Sequence, residues 1–239
     1  PNGRALYVLK ISDNAAADET EPEFLYTSSM HGDEITGFPN MLRLIDYLLT
    51  NYGSLAEVTD IVNGTEIFIC PLANPDGSFK TAGNDILNST GNTATRANKN
   101  GYDLNRNYPD PKNGLHPDSG LQTNAVYQPE TLAFLAFERT RNFVLSANYH
   151  GGAEVVNYPW DTYPITGGAN IHPHNNYFKQ ICIEYATLCQ TADGNLNYMD
   201  DVLSTGAFPG TTNGSAWYTV AGGRQDYNNY FNHNKEVTI

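Results

Sequence analysis

The sequence predicts one α/β domain in which a mixed sheet lies between layers of helices. Three observations carry that prediction. Short apolar, β-prone runs such as 24–30 and 143–147 alternate with longer stretches of helical spacing such as 35–49. A chain of 239 residues, 40% of them hydrophobic, is long enough for one substantial core. No internal repeat, linker or compositional break marks a second domain.

In chain order the expected elements begin with strands at 4–12 and 23–30. A helix follows at 35–51, where Ile35, Phe38, Met41, Leu42, Ile45, Leu48 and Leu49 recur at helical spacing. A strand at 65–71 carries Ile67, Phe68, Ile69 and a buried Cys70. The stretch 73–128 is rich in Asn, Gly, Pro and Asp and reads as irregular; a loop that long usually carries function. Then come a helix at 129–140, strands at 143–149 and 153–158, a loop, and a helix at 174–192. A Gly-rich region leads to a last strand at 235–239. Cys182 and Cys189 fall on the 174–192 helix, about 10 Å apart along its axis, too far for a disulfide. The odd count of 3 cysteines without paired spacing excludes a disulfide framework or a cysteine-ligated metal.

Composition removes several function classes. A net charge of −13 and a pI near 4.7 exclude nucleic acid as a natural partner. No apolar run approaches the roughly 18 residues of a membrane span. With 16 Tyr, 21 Gly and only 13 Lys and Arg, the composition suits a secreted or periplasmic protein, expected as a monomer.

Chemistry concentrates in two segments, Met30-His31-Gly32-Asp33-Glu34 and Asn148-Tyr149-His150-Gly151-Gly152. A metal that activates water needs three protein ligands and an open fourth position. His31, Glu34 and His150 would supply two imidazoles and a carboxylate. His31 would close one apolar strand and His150 another, with Glu34 near a helix N-terminus; strand ends are where ligands gather in α/β sheets. Taken alone, a histidine at a strand end is more often a hydrogen-bonded core or rim residue than a ligand. Of the others, His116, His172, His174 and His233 fall in loop-like surroundings; His172 and His174 flank Pro173 and could bind metal adventitiously, but read better as part of a solvated loop.

What lies between the two segments decides. Asp103-Leu104-Asn105-Arg106-Asn107-Tyr108-Pro109-Asp110, preceded by Arg96, resembles the zinc carboxypeptidase family, in particular the regulatory branch of carboxypeptidases N, E, M and D. The resemblance runs through most of the chain. It includes 3–14, HGDE at 31–34, NPDG at 74–77, NYHGG at 148–152, NYPWD at 157–161, TNGSAWY at 212–218 and GGRQDYNNY at 222–230. It implies an eight-stranded α/β/α fold, one Zn²⁺ per chain and hydrolysis of the C-terminal bond of peptides and proteins. By it, His31, Glu34 and His150 match the metal ligands, and Asp103 the carboxylate that orients the first histidine. Asn105 and Arg106 match the pair that captures the substrate's terminal carboxylate, a task suited to the planar fork of arginine. Arg96 matches the arginine at the oxyanion, and Tyr218 the tyrosine that closes over substrate.

The resemblance also implies a preference and a boundary. Asp161 and Gln225 match the pocket for the last side chain, where a carboxylate favours Lys or Arg because burying an unpaired cation is costly. Arg224, beside Gln225, stands where branch members often carry an apolar residue; turned inward, it could neutralise Asp161. The family's general base, a glutamate, would fall on the position immediately after Ile239, with Glu236 the earlier glutamate of that pattern. The expectation is therefore a catalytic domain over residues 1–239, incomplete at both ends. Two alternatives stay open: a zinc deacylase or amidase on the same scaffold, and an inactive, binding-only homologue.

Overall fold

The computed structural model describes residues 3–79, 93–112, 126–194 and 197–239. The chain divides into two compact units, Pro1–Leu104 with Gln128–His150, and Asn105–Tyr127 with Gly151–Ile239. The described residues hold seven strands and seven α-helices, where eight strands were expected. His116 and much of the long irregular stretch lie outside the described residues.

In the first unit the strands β1 (Leu9–Ile11), β2 (Glu23–Ser28), β3 (Glu66–Cys70) and β4 (Phe143–Tyr149) lie in the order β1-β3-β2-β4. β2 runs parallel to β3 and β4, and β1 is antiparallel to β3, so this sheet is mixed. All five residues of β3 are buried, as expected of a strand covered on both faces. Ile67 and Ile69 face one way, onto Met41 and Leu48 of α1 (Gly37–Asn51) and Val58 and Val62 of α2 (Ala56–Gly64). Phe68 faces the other way, with Leu25 and Phe143, against Phe137 of α4 (Pro129–Glu138). Each such side chain contributes about 1.5–3 kcal/mol by leaving water. Helices therefore cover both faces, the predicted three-layer arrangement. Between them, α3 (Pro75–Ser78) is a single turn after β3.

α1 starts two residues later than its spacing suggested, and Ile35, Leu42 and Leu49 are exposed while Met41 and Leu48 carry the contact. The buried stripe is narrower than the apolar one. Helix α2 was not anticipated, because only Val58 and Val62 of its nine residues are buried.

In the second unit β5 (Val156–Tyr158) lies between β6 (Thr211–Asn213), parallel to it, and β7 (Lys235–Thr238), antiparallel to it. Helix α5 (Asn175–Asp193) buries Phe178, Cys182 and Ala186 and packs on β5 and β6. Its cysteines are free, as their spacing required. Two short elements complete the unit, α6 (Gly214–Trp217) and α7 (Arg224–Phe231). His172 is a correction: it is buried against Trp160 and Phe178, not solvated, and its Nδ1 accepts the His174 N–H at 3.0 Å. Burial pushes its pKa down to about 4. No helix among the described residues is long and apolar enough to cross a membrane.

Candidate active site

The first unit brings the predicted ligand residues together. β2 ends at Ser28, and Ser29 takes a φ of 56°, so His31 lies in a turn beyond the strand and not at its last position. A Cβ on Gly32 would sit 2.3 Å from the carbonyl carbon of Gly77, a backbone approach that only glycine permits. Buried Asn74 fastens that approach. Its Nδ2 donates to the Met30 carbonyl (3.1 Å) and its Oδ1 accepts the Gly77 N–H (2.9 Å). The Gly32 N–H donates to the Arg96 carbonyl at 3.3 Å. The Asn-Pro-Asp-Gly run was noticed in sequence without a role. Its Asn, able to bond its own backbone a few residues on, was the available signal.

Three donors converge here. Nδ1 of His31 lies 2.8 Å from Oε1 of Glu34, and Nδ1 of His150 lies 2.8 Å from Oε2 of Glu34 and 3.0 Å from Nδ1 of His31. All three ligand atoms fall within 4.8 Å of one another. Two imidazoles and a carboxylate, facing one point, are a donor set that fits zinc and leaves a tetrahedral position open.

The surrounding groups fix this arrangement. Nε2 of His31 donates to Oδ1 of Asp103 at 2.9 Å, which turns the other ring nitrogen toward Glu34 and His150. Arg96 bridges the shell, with Nε donating to Oδ2 of Asp103 (2.9 Å) and Nη1 to Oε1 of Glu34 (3.3 Å). Nδ2 of buried Asn148 lies 3.1 Å from Nε2 of His150, and its Oδ1 accepts the Thr27 hydroxyl (3.1 Å). Asn148 was not predicted, although an amide inside an apolar strand signals an internal partner.

Electrostatics favour a cation at this point. Burial pushes the Glu34 carboxyl up, but hydrogen bonds from His150 and His31 outweigh it and hold its pKa at about 2. Burial lowers His150 and dominates there, keeping its ring neutral. For His31, burial favours the neutral ring, yet the bonds to Asp103 and Glu34 prevail and raise its pKa. The Glu34 carboxylate and the neutral His150 ring are the protonation states a metal requires, and at His31 a bound metal would take the place of the second ring proton. Replacing Asp103 by Ala is expected to weaken zinc binding roughly 10–100-fold, because the His31 ring loses its orienting acceptor. Competition with a calibrated chelator checks this, and unchanged affinity would remove Asp103 from the account.

The second unit holds the other predicted residues. Asp161 is buried, its Oδ1 accepting from Nδ2 of Asn157 and Nε2 of Gln225, both at 3.2 Å. Gly214 makes room for it, since a Cβ there would lie 1.6 Å from Oδ1. Burial pushes the Asp161 carboxyl up to about 6, against the Asn157 hydrogen bond and the nearby Arg106 charge. Arg224 is fully buried, and its Nη2 lies 3.2 Å from Oε2 of Glu236, which also accepts from Nδ2 of Asn228 at 2.6 Å. The cation beside Gln225 is thus committed to Glu236. Arg106 is half-buried and donates from Nη1 to the Asn105 carbonyl at 2.8 Å; Asn105 Oδ1 accepts the Arg224 N–H at 3.0 Å. Tyr218 is exposed at the end of α6, its ring centroid 4.7 Å from that of Trp217.

In a mixed sheet covered by helices, His31 and Glu34 past β2 and His150 past β4 form a cluster able to hold a metal ion. The family described as zinc carboxypeptidase matches residues 1–239, and the chain belongs to that family. Among curated relatives it is 44% identical to carboxypeptidase D of Anas platyrhynchos over 99% of this chain, but spans only 16% of that protein. To carboxypeptidase M of Mus musculus it is 37% identical, over 99% of this chain and 51% of the relative. Two solved structures share the fold at low identity. Carboxypeptidase A from Helicoverpa armigera superposes with a TM-score of 0.72 at 20% identity, covering 99% of this chain and 56% of that one. Thrombin activatable fibrinolysis inhibitor gives 0.74 at 18%, covering 98% and 57%.

Proposed function

We propose that the protein is a zinc-dependent exopeptidase that removes the last residue from peptides and proteins, preferring C-terminal Lys or Arg. The observation that carries this reading is the convergence of His31, Glu34 and His150, with Asp103 and Arg96 bound around them. Membership of the zinc carboxypeptidase family supports it.

His31, Glu34 and His150 would hold the zinc ion, which would supply a Lewis acid able to polarise a carbonyl and lower the pKa of water. Asp103 keeps the His31 ring in the tautomer that presents Nδ1. Arg96, already held by Asp103 and Glu34, offers its guanidinium to the oxygen that gains charge as the peptide carbonyl becomes tetrahedral. Asn105 and Arg106 bind the substrate's terminal carboxylate, and Tyr218, exposed and at the end of a short helix, closes over it. That anchoring confines hydrolysis to the final bond. Asp161 meets the incoming Lys or Arg side chain. Arg224 does not cancel that charge, because it is paired with Glu236.

The arginine that binds the carboxylate provides the test. Arg106→Ala should raise KM for free-acid peptides far more than it lowers kcat, and should leave little discrimination against C-terminal amides, because the interaction lost is substrate binding. An unchanged KM for free acids would exclude this role.

A further inference from the structure

We propose that Asp226 is a positioning residue for recognition of the basic side chain: its carboxylate clamps the backbone that carries Asp161. The inference rests on the reading above in which Asp161 meets a C-terminal Lys or Arg.

The geometry is specific. Asp226 sits in the first turn of α7 and is completely buried. Its Oδ1 accepts the Asp161 N–H at 3.0 Å, and its Oδ2 accepts the same N–H at 3.1 Å and that of Thr162 at 2.7 Å. The preceding residue on α7, Gln225, donates to the Asp161 side chain at 3.2 Å. Two consecutive residues of one helix therefore hold Asp161, one by its main chain and one by its carboxylate. The helix is itself anchored by the buried Arg224–Glu236 pair. On the other side, Gly214 leaves no slack, since even a Cβ there would overlap Oδ1. Asp161 is confined from both ends, and Asp226 is the end that fixes its Cα.

The choice of residue at 226 follows. An aspartate there lies close to the carboxylates of Asp161 and Asp110, and burial pushes its pKa well above the usual carboxylate range. An uncharged residue would avoid that cost. The two backbone N–H groups oppose that rise, and an ionised carboxylate offers them acceptors on both oxygens. Asparagine has the same shape but turns one acceptor into a donor facing an N–H, so the Asp161–Thr162 turn would shift.

The test is a ratio of specificities. On the zinc-loaded enzyme in its full natural polypeptide, kcat/KM is measured for two peptides that differ only in ending with Arg or Leu. The proteins are wild type, Asp226→Asn, Asp161→Ala and Asn228→Ala. The ratio does not depend on how much of each variant folds. In Asp226→Asn it is expected to fall roughly ten- to hundredfold through KM for the Arg peptide, the cost of a misplaced recognition group. Asn228→Ala, which disturbs α7 without touching Asp161, should keep the wild-type ratio. Where Asp226→Asn gives too little folded protein, Asp226→Ser is read by the same ratio. A wild-type ratio in the Asp226 variants, with both substrates slowed equally, would overturn the inference while leaving the role of Asp161 intact. Loss of the ratio in Asn228→Ala would overturn it too, as general damage to α7. If Asp161→Ala keeps the preference, or wild type has none, the reading of Asp161 falls and this inference falls with it.

Discussion

The His150→Ala protein is expected to purify with zinc well below stoichiometric and to hydrolyse peptides at background rate, while the wild type carries one zinc per chain. His150 supplies one of three donors within 4.8 Å of one another. With it gone, His31 and Glu34 remain, too few for the closed side of a catalytic zinc site. Glu34, held at about 2 largely by its two imidazole partners, also loses one of them. His174→Ala is the matched control: that ring is exposed and lies at the start of α5, and its removal should leave zinc in place. Metal analysis by mass spectrometry after dialysis reads both. Equal zinc in His150→Ala and wild type would displace the ligand assignment.

Asp161→Ala is expected to abolish most of the preference for C-terminal Lys and Arg over Leu and Phe while leaving bound zinc unchanged. Removing one partner of a buried hydrogen-bonded charge pair costs about 2–5 kcal/mol, so the specificity ratio should fall by more than tenfold. The pH dependence follows from the same burial. The Asp161 carboxyl is pushed up to about 6, so it is charged above that value and neutral below it. The preference should be full near neutrality and decline as pH falls through about 6. Turnover of Leu-ending peptides should not share that inflection. A preference that is flat from pH 5 to 7.5, measured as the ratio of kcat/KM values, would place the recognition of cations elsewhere.

How much was visible before the structure depends on the kind of force involved. The strands and helices that bury apolar side chains, such as α1 with its helical spacing and β3 with the continuous run Ile67, Phe68 and Ile69, show in the chain. Helix α7 does not. Arg224, Gln225, Asp226, Asn228 and Asn229 are all buried, so polar partners stabilise the helix, and no hydrophobic period announces it. Elements of three or four residues, such as β6 and α6, are too short for any period to register. The site divides in the same way. His31, His150, Glu34, Asp103 and Arg96 are reactive residue types in a recognisable order. Asn74, Gly32 and Asp226 act through backbone contacts, and their meaning depends on which N–H or carbonyl the fold brings to them. The direction of Arg224, open in the sequence, was decided by Glu236, a partner on another element.

The identity of the first product tests the central claim most directly. A synthetic peptide ending in Lys as the free acid, and its C-terminally amidated twin, are incubated with the zinc-loaded enzyme and followed by mass spectrometry. The expected result is loss of a single Lys from the free acid, no change in the amidated twin, and arrest by a zinc chelator with recovery on adding zinc. Cleavage at an internal bond, or equal cleavage of the amidated peptide, would contradict the account.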